Sequence, residues 1–181
     1  MTTRKTDPLL LAGKVIAIFM QGIMAVAGIA LLFAMPVMLF FRADIVTQYA
    51  EASGDPDVVF PVFTALGVIA ICFGIVAAMF VFFGRLRRII DTVGDGDPFD
   101  PVNADRLSLM GWLMLAVQLL LLPASALGAH LAQYADEIEG MNVTIGGGLD
   151  LSAILLIVIL FILARVFRHG AAMRADLEGT V

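Results

Sequence analysis

The chain has 181 residues, of which 61% are hydrophobic and only 15% charged, with a formal net charge of −5 and a single cysteine. A soluble domain carries about 45–50% apolar and about 25% charged residues, so an ordinary soluble domain is excluded. The lone Cys72 excludes a disulfide framework and any thiol chemistry that needs cysteine pairs, which leaves it as a small apolar packing residue.

The apolar residues are gathered into four blocks, Val15–Phe41, Phe60–Gly84, Leu107–Ala129 and Leu151–Ala164. A hydrocarbon core about 30 Å thick needs about 20 apolar residues in a helix, and three of the blocks clear that length. The expected fold is all-α: a polytopic membrane protein whose residues 1–181 form one domain, a bundle of four transmembrane helices over spans of about 15–41, 60–84, 107–130 and 149–168.

Residues 1–14 read as a short polar lead ending in Lys14, which can snorkel to the interface. The first block is much longer than the roughly 7–15 residues of a signal-peptide core and is expected to be retained as a span. It is interrupted only by Gln21 and Pro36, and its length predicts tilt or a kink near the proline. The 42–59 loop is acidic and ends in the turn cluster Ser53-Gly54-Asp55-Pro56-Asp57.

The second span starts near Pro61 and carries Ala70, Gly74 and Ala78 at four-residue spacing, a stripe that lets helix backbones approach closely in lipid. Such a stripe fits either an intramolecular helix contact or the seam of a homo-oligomer. The helix is expected to run past the membrane, because Phe82, Phe83, Leu86, Ile89, Ile90 and Val93 share a face away from Arg85, Arg87, Arg88 and Asp91. Gly94 is the expected stop. The segment Asp95-Gly96-Asp97-Pro98-Phe99-Asp100-Pro101 is a turn region, with the wrong register for a calcium loop, and Asn103 is a candidate N-cap for the third span.

Gln118 is the deepest polar side chain of the third span. It suits an interhelical hydrogen bond, to Gln21 or Thr64, or the lining of a polar path. In the 131–148 loop, Met141–Ile145 has the composition of a short extended piece, and Asn142-Val143-Thr144 matches a glycosylation sequon. Asp150 is placed to cap the fourth span. That span has a short uncharged stretch between Asp150 and Arg165, so both charges must lie near interfaces or face the bundle interior.

Charge placement carries the topology. Arg4, Lys5, Lys14, Arg85, Arg87, Arg88, Arg106, Arg165, Arg168 and Arg174 fall on one side of the blocks, and of the eleven Lys and Arg only Arg42 falls on the other. By the positive-inside rule both termini and the 85–106 loop are expected in the cytoplasm, with the 42–59 and 131–148 loops in the periplasm. The spans hold no ionisable residue in their interiors, which argues against a proton-coupled pump. His130 and His169 are expected on opposite faces, so no zinc or haem site is read, and no cofactor or catalytic group is expected. On the arginine side, Asp91, Asp95, Asp97, Asp100 and Asp105 face Arg165, Arg168 and Arg174 in charge. Either the tail closes across the loop, or the arginines meet headgroups and the aspartates stay solvated.

Two stretches carry a resemblance. The loop reads Arg87-Arg88-Ile89-Ile90-Asp91, then Gly96-Asp97-Pro98-Phe99, Asn103 and Leu107. The end reads Leu163-Ala164-Arg165-Val166-Phe167-Arg168-His169-Gly170, then Met173-Arg174 and Gly179-Thr180-Val181. In the Gly-x-Pro-Phe-x-x-x-Asn loop and the Val-Phe-Arg-x-Gly tail the chain resembles the domain-of-unknown-function 2975 family of small bacterial inner-membrane proteins. It departs from that pattern at Gly179, where members often carry Leu, and at Arg165, where many carry an acidic residue. The resemblance implies a four-span protein with no assigned reaction, and relatives encoded beside a very short helix-turn-helix regulator imply a small DNA-binding protein as partner.

The expectation is therefore a multi-pass protein of the bacterial inner membrane that is not an enzyme and does not itself bind nucleic acid. Its role would be regulatory or sensory binding at the cytoplasmic face, through Arg85, Arg87, Arg88, Asp97, Pro98, Phe99, Asn103, Arg165, Arg168 and Arg174. Its partners would be the bilayer, the regulator and further copies of itself. The alternative is a small oligomeric transporter or channel, for which Gln118 is the intramembrane polar candidate.

Overall fold

A computed structural model describes residues 7–54, 59–135 and 150–178. The Met141–Ile145 piece, the sequon at Asn142, Arg4, Lys5 and the final Gly179-Thr180-Val181 lie outside the described residues. Five helices account for almost all of the described chain: α1 (Pro8–Phe40), α2 (Arg42–Ser53), α3 (Val62–Gly94), α4 (Pro101–Ala135) and α5 (Leu151–Glu178). No strand occurs among the described residues.

α1, α3, α4 and α5 are each long and apolar enough to cross a membrane. They have 33, 33, 35 and 28 residues. At about 1.5 Å per residue even the shortest reaches about 42 Å, so every one of them outruns a hydrocarbon core of about 30 Å. The helices accordingly pass beyond the apolar blocks. α1 begins at Pro8 and takes Lys14 into its second turn, where a polar lead is expected from the sequence. Asp7 starts it, its Oδ1 accepting the amide of Leu9 at 3.0 Å. Asp150 does the same for α5, accepting the Ser152 amide at 2.8 Å.

α2 is the element that composition hides. Its twelve residues occupy most of what reads as an acidic loop. It forms because the apolar side of the segment has something to cover: Tyr49 is buried, its hydroxyl donates to the Tyr134 carbonyl at 2.7 Å, and its ring lies 5.3 Å from that of Phe60. Gly54 closes the helix at φ +71°, a left-handed conformation that is cheap only for glycine.

The chain forms two compact units. The first takes Met1–Ala25, Ala77–Ala116 and Asp150–Val181, and the second takes Val26–Val76 and Val117–Leu149. The division sorts charge: among the described residues eight of nine Lys and Arg belong to the first unit, and the second contains only Arg42.

In the first unit the core is Phe82 and Ile89 of α3, Leu107 and Met110 of α4, and Leu160 and Ala164 of α5, with Leu86, Val93 and Phe167 against them. The apolar face beyond Gly84 is thus spent on packing. It belongs to the one continuous helix α3. Close approach is bought with glycine at Gly111, whose added Cβ would meet the Phe161 ring at 3.1 Å, and at Gly84, where it would meet Gln21 Nε2 at 2.9 Å. In the second unit Gly74 of the small-residue stripe faces Leu120 of α4, so at that position the stripe serves a contact within the chain.

Candidate functional site

Most of the sequence motif residues meet in the first unit, where the end of α3, the loop after it, the start of α4 and the end of α5 come together. The join is built from the chain outward. α3 stops in a paired motif in which the Asp97 amide donates to the Thr92 carbonyl at 3.0 Å and the Gly96 amide to the Val93 carbonyl at 3.1 Å. Gly96, at φ +85°, makes the turn possible. α3 ends at Gly94, the stop expected from sequence, and the left-handed residue that turns the chain away is Gly96.

α4 then starts at Pro101 behind Asp100, whose Oδ1 accepts the Val102 amide at 2.9 Å. Asp100 is the N-cap, and proline suits the first helical position because its missing amide hydrogen would find no partner there. Asn103, the cap expected from sequence, lies one turn further in and does something else. It is fully buried. Its Nδ2 donates to the Thr92 hydroxyl at 2.8 Å and to the Pro98 carbonyl at 3.1 Å, and its Oδ1 accepts Arg106 Nη1 at 2.9 Å. One amide side chain thus ties the last turn of α3, the loop and the first turns of α4. Such a group is costly to remove, because its partners would be left buried and unpaired. Arg106 Nη1 also reaches the Arg88 carbonyl at 3.4 Å, while its buried Nε has no hydrogen-bond partner among the described residues.

The tail closes on this loop. The Phe99 ring lies 5.5 Å from that of Phe167 on α5. Its edge lies against Gly170, where an added Cβ would come within 2.6 Å of Cδ1 and 2.8 Å of Cε1. One turn on, Arg174 Nη1 meets Asp97 Oδ1 at 2.5 Å, and nearer the membrane span Arg168 Nη2 meets Asp105 Oδ1 at 3.3 Å. Lys14 of α1 adds a third pair, to Asp91 at 2.6 Å. All three pairs are more than a third exposed, at 51%/46%, 66%/79% and 41%/36% for cation and carboxylate. Exposed pairs contribute about 0–1 kcal/mol each, so they orient the tail, and the insertion of Phe99 is the larger attraction.

Asp97, Pro98, Phe99, Asn103, Arg168 and Arg174 are therefore brought together, and the tail lies across the loop. Arg87, Arg88 and Arg165 are exposed, Arg85 is half-buried, and none of the four makes an ion pair among the described residues. Gln118 belongs to the second unit, buried in α4. Sequence reading passed over Thr92, Arg106 and the Lys14–Asp91 pair. Arg106 had a signal in its three-residue spacing from Asn103, whereas Lys14 and Asp91 are separated by two whole spans and have none.

The arrangement holds a shape and presents charge. No curated protein and no solved structure matches the chain. The model of one family, described as Protein of unknown function (DUF2975), matches residues 47–181, a stretch that takes in the whole loop and tail, and the chain belongs to that family.

Proposed function

We propose that this multi-pass membrane protein is a regulatory or sensory binding protein of the bacterial inner membrane, non-enzymatic, with its arginine-bearing unit in the cytoplasm. The orientation is read from the positive-inside rule, given eight described cations in one unit and one in the other. The observation that carries the reading is the clasp itself: the Phe99–Gly170 contact and the Arg174–Asp97 pair fasten together the loop and tail motifs. A fastened loop and tail make a fixed surface that a partner recognises in the closed form.

The partner we favour is a small helix-turn-helix regulator. Such a protein is usually basic, and the loop offers Asp95, Asp97 and Asp100 in succession. The test is co-purification of a soluble DNA-binding protein with the wild type, with a Gly170→Leu variant that cannot seat Phe99, and with a chain lacking Gly96–Asn103. Capture by the wild type and loss in both variants supports the reading; equal capture by all three sinks it. A second reading is a small oligomeric transporter or channel, for which Gln118 of α4 is the polar candidate. Solute flux into proteoliposomes that Gln118→Leu abolishes would replace the first reading with this one.

A further inference from the structure

The second unit contains a cleft of about 600 Å³, lined by Leu39 from the last turn of α1, Arg42, Ala43 and Val46 from α2, and Phe60 and Phe63 around the start of α3. We propose that it seats one acyl chain of an anionic phospholipid, with the lipid phosphate at Arg42.

The lining is almost wholly apolar, and its volume falls within the roughly 300–1,000 Å³ of small-molecule sites. Leu39 and Phe63 belong to membrane-capable helices, whereas Arg42 belongs to the short helix just outside them. The cleft therefore draws apolar lining from the spans and its one cation from the adjoining short helix, a pairing that matches the tail and the headgroup of an amphiphile. Val59 and Phe63 are 64% and 76% exposed, so lipid reaches the site without any opening of the protein.

Arg42 is the only Lys or Arg of this unit. It makes no ion pair among the described residues, although Asp44 and Glu51 are on the same helix. Those two carboxylates line a different cleft, with Phe41, Ile45, Thr47 and Gln48. The guanidinium thus lines the apolar cleft without an ion-pair partner among the described residues. A guanidinium forks onto two phosphate oxygens, and a zwitterionic headgroup brings its own cation to oppose it. That difference selects an anionic lipid over phosphatidylcholine.

The whole 181-residue chain serves for the test. The protein is exchanged into nanodiscs of equal parts phosphatidylglycerol and phosphatidylcholine and released for native mass spectrometry. The wild type is expected to retain phosphatidylglycerol about tenfold over phosphatidylcholine, a difference of about 1.4 kcal/mol. Arg42→Gln should bring the two lipids level at unchanged thermal stability, and Arg42→Lys should keep a preference. Ala43→Leu, which fills the cleft from its wall, should lower retention of both lipids. Equal retention by the wild type, or a preference that survives Arg42→Gln, overturns the proposal. So does displacement of the retained lipid by millimolar inorganic phosphate, which would make the site one for a free anion.

Discussion

Replacing Gly170 by alanine places a methyl carbon where the Phe99 ring now lies. The added Cβ would stand 2.6 Å from Cδ1 and 2.8 Å from Cε1, about 1 Å inside ordinary contact. The helix backbone of α5 is held by the core at Leu160 and Ala164, so the ring must move. Phe99 is 41% exposed, which leaves 59% of it covered. At about 150–250 Å² for a phenyl ring and about 25 cal/mol per Å², the covered part is worth at most about 2–4 kcal/mol. Inserting a methyl into a filled contact usually costs about 1–3 kcal/mol, so most of what the ring contributes is lost while the exposed pairs remain. Gly170→Ala should therefore raise the open population of the tail about 5- to 150-fold, at about 1.4 kcal/mol per tenfold. Hydrogen exchange read by mass spectrometry on peptides covering 166–176 measures that change directly. Phe99→Ala should produce a comparable acceleration, and the double variant should go no further than Phe99→Ala alone, because the methyl then meets nothing. Additive effects of the two substitutions, or unchanged exchange in Gly170→Ala, would refute the ring-against-glycine account.

Gly96→Ala forces a side chain into a left-handed conformation and should cost about 1–2 kcal/mol, seen as faster exchange at the Gly96 and Asp97 amides. Asn103→Ala should cost about 1–3 kcal/mol by stranding Thr92 and Arg106, lowering the thermal midpoint in detergent more than Asp97→Asn does. Raising salt from 0.1 to 1 M cuts the screening length from about 10 to about 3 Å, yet tail exchange should change by no more than a few-fold, since the three ion pairs are exposed. Tyr49→Phe removes the hydroxyl that holds α2 to the Tyr134 carbonyl and should destabilise α2 by about 0.5–1.5 kcal/mol, read as exchange in 42–53 with the tail unaffected.

The sequence announced the four spans and the run of α3 past Gly84, because each rests on hydropathy or on a 3.6-residue period that a single segment carries by itself. α2 escaped because only its partners make it amphipathic: Tyr49 needs the Tyr134 carbonyl and the Phe60 ring before its burial means anything. The same limit applied at the loop. Gly96, Asp100 and Asn103 all read as turn or cap residues, and which of them stops α3, which caps α4 and which is buried depends on a turn of backbone that composition leaves open. The loop and tail motifs were visible as residue types, but nothing along the chain says that Gly170 is small because Phe99 is large.

The start of α5 has a consequence for the lipid around it. Asp150 is fixed to the helix end by the Ser152 amide, so its carboxylate cannot stretch away to water as a lysine would. Only Leu151–Ala164 lie between it and Arg165, about 21 Å of helix against a hydrocarbon core of about 30 Å. Arg165 can reach outward and Asp150 cannot, so where Asp150 meets lipid and not the bundle interior, the bilayer is expected to dip to it. Each ångström of that dip costs a fraction of a kcal/mol, carried by the lipids and not by the protein. Copies of this chain that share one depression deform less membrane than copies apart, so thick bilayers should herd them together and thin ones should let them disperse.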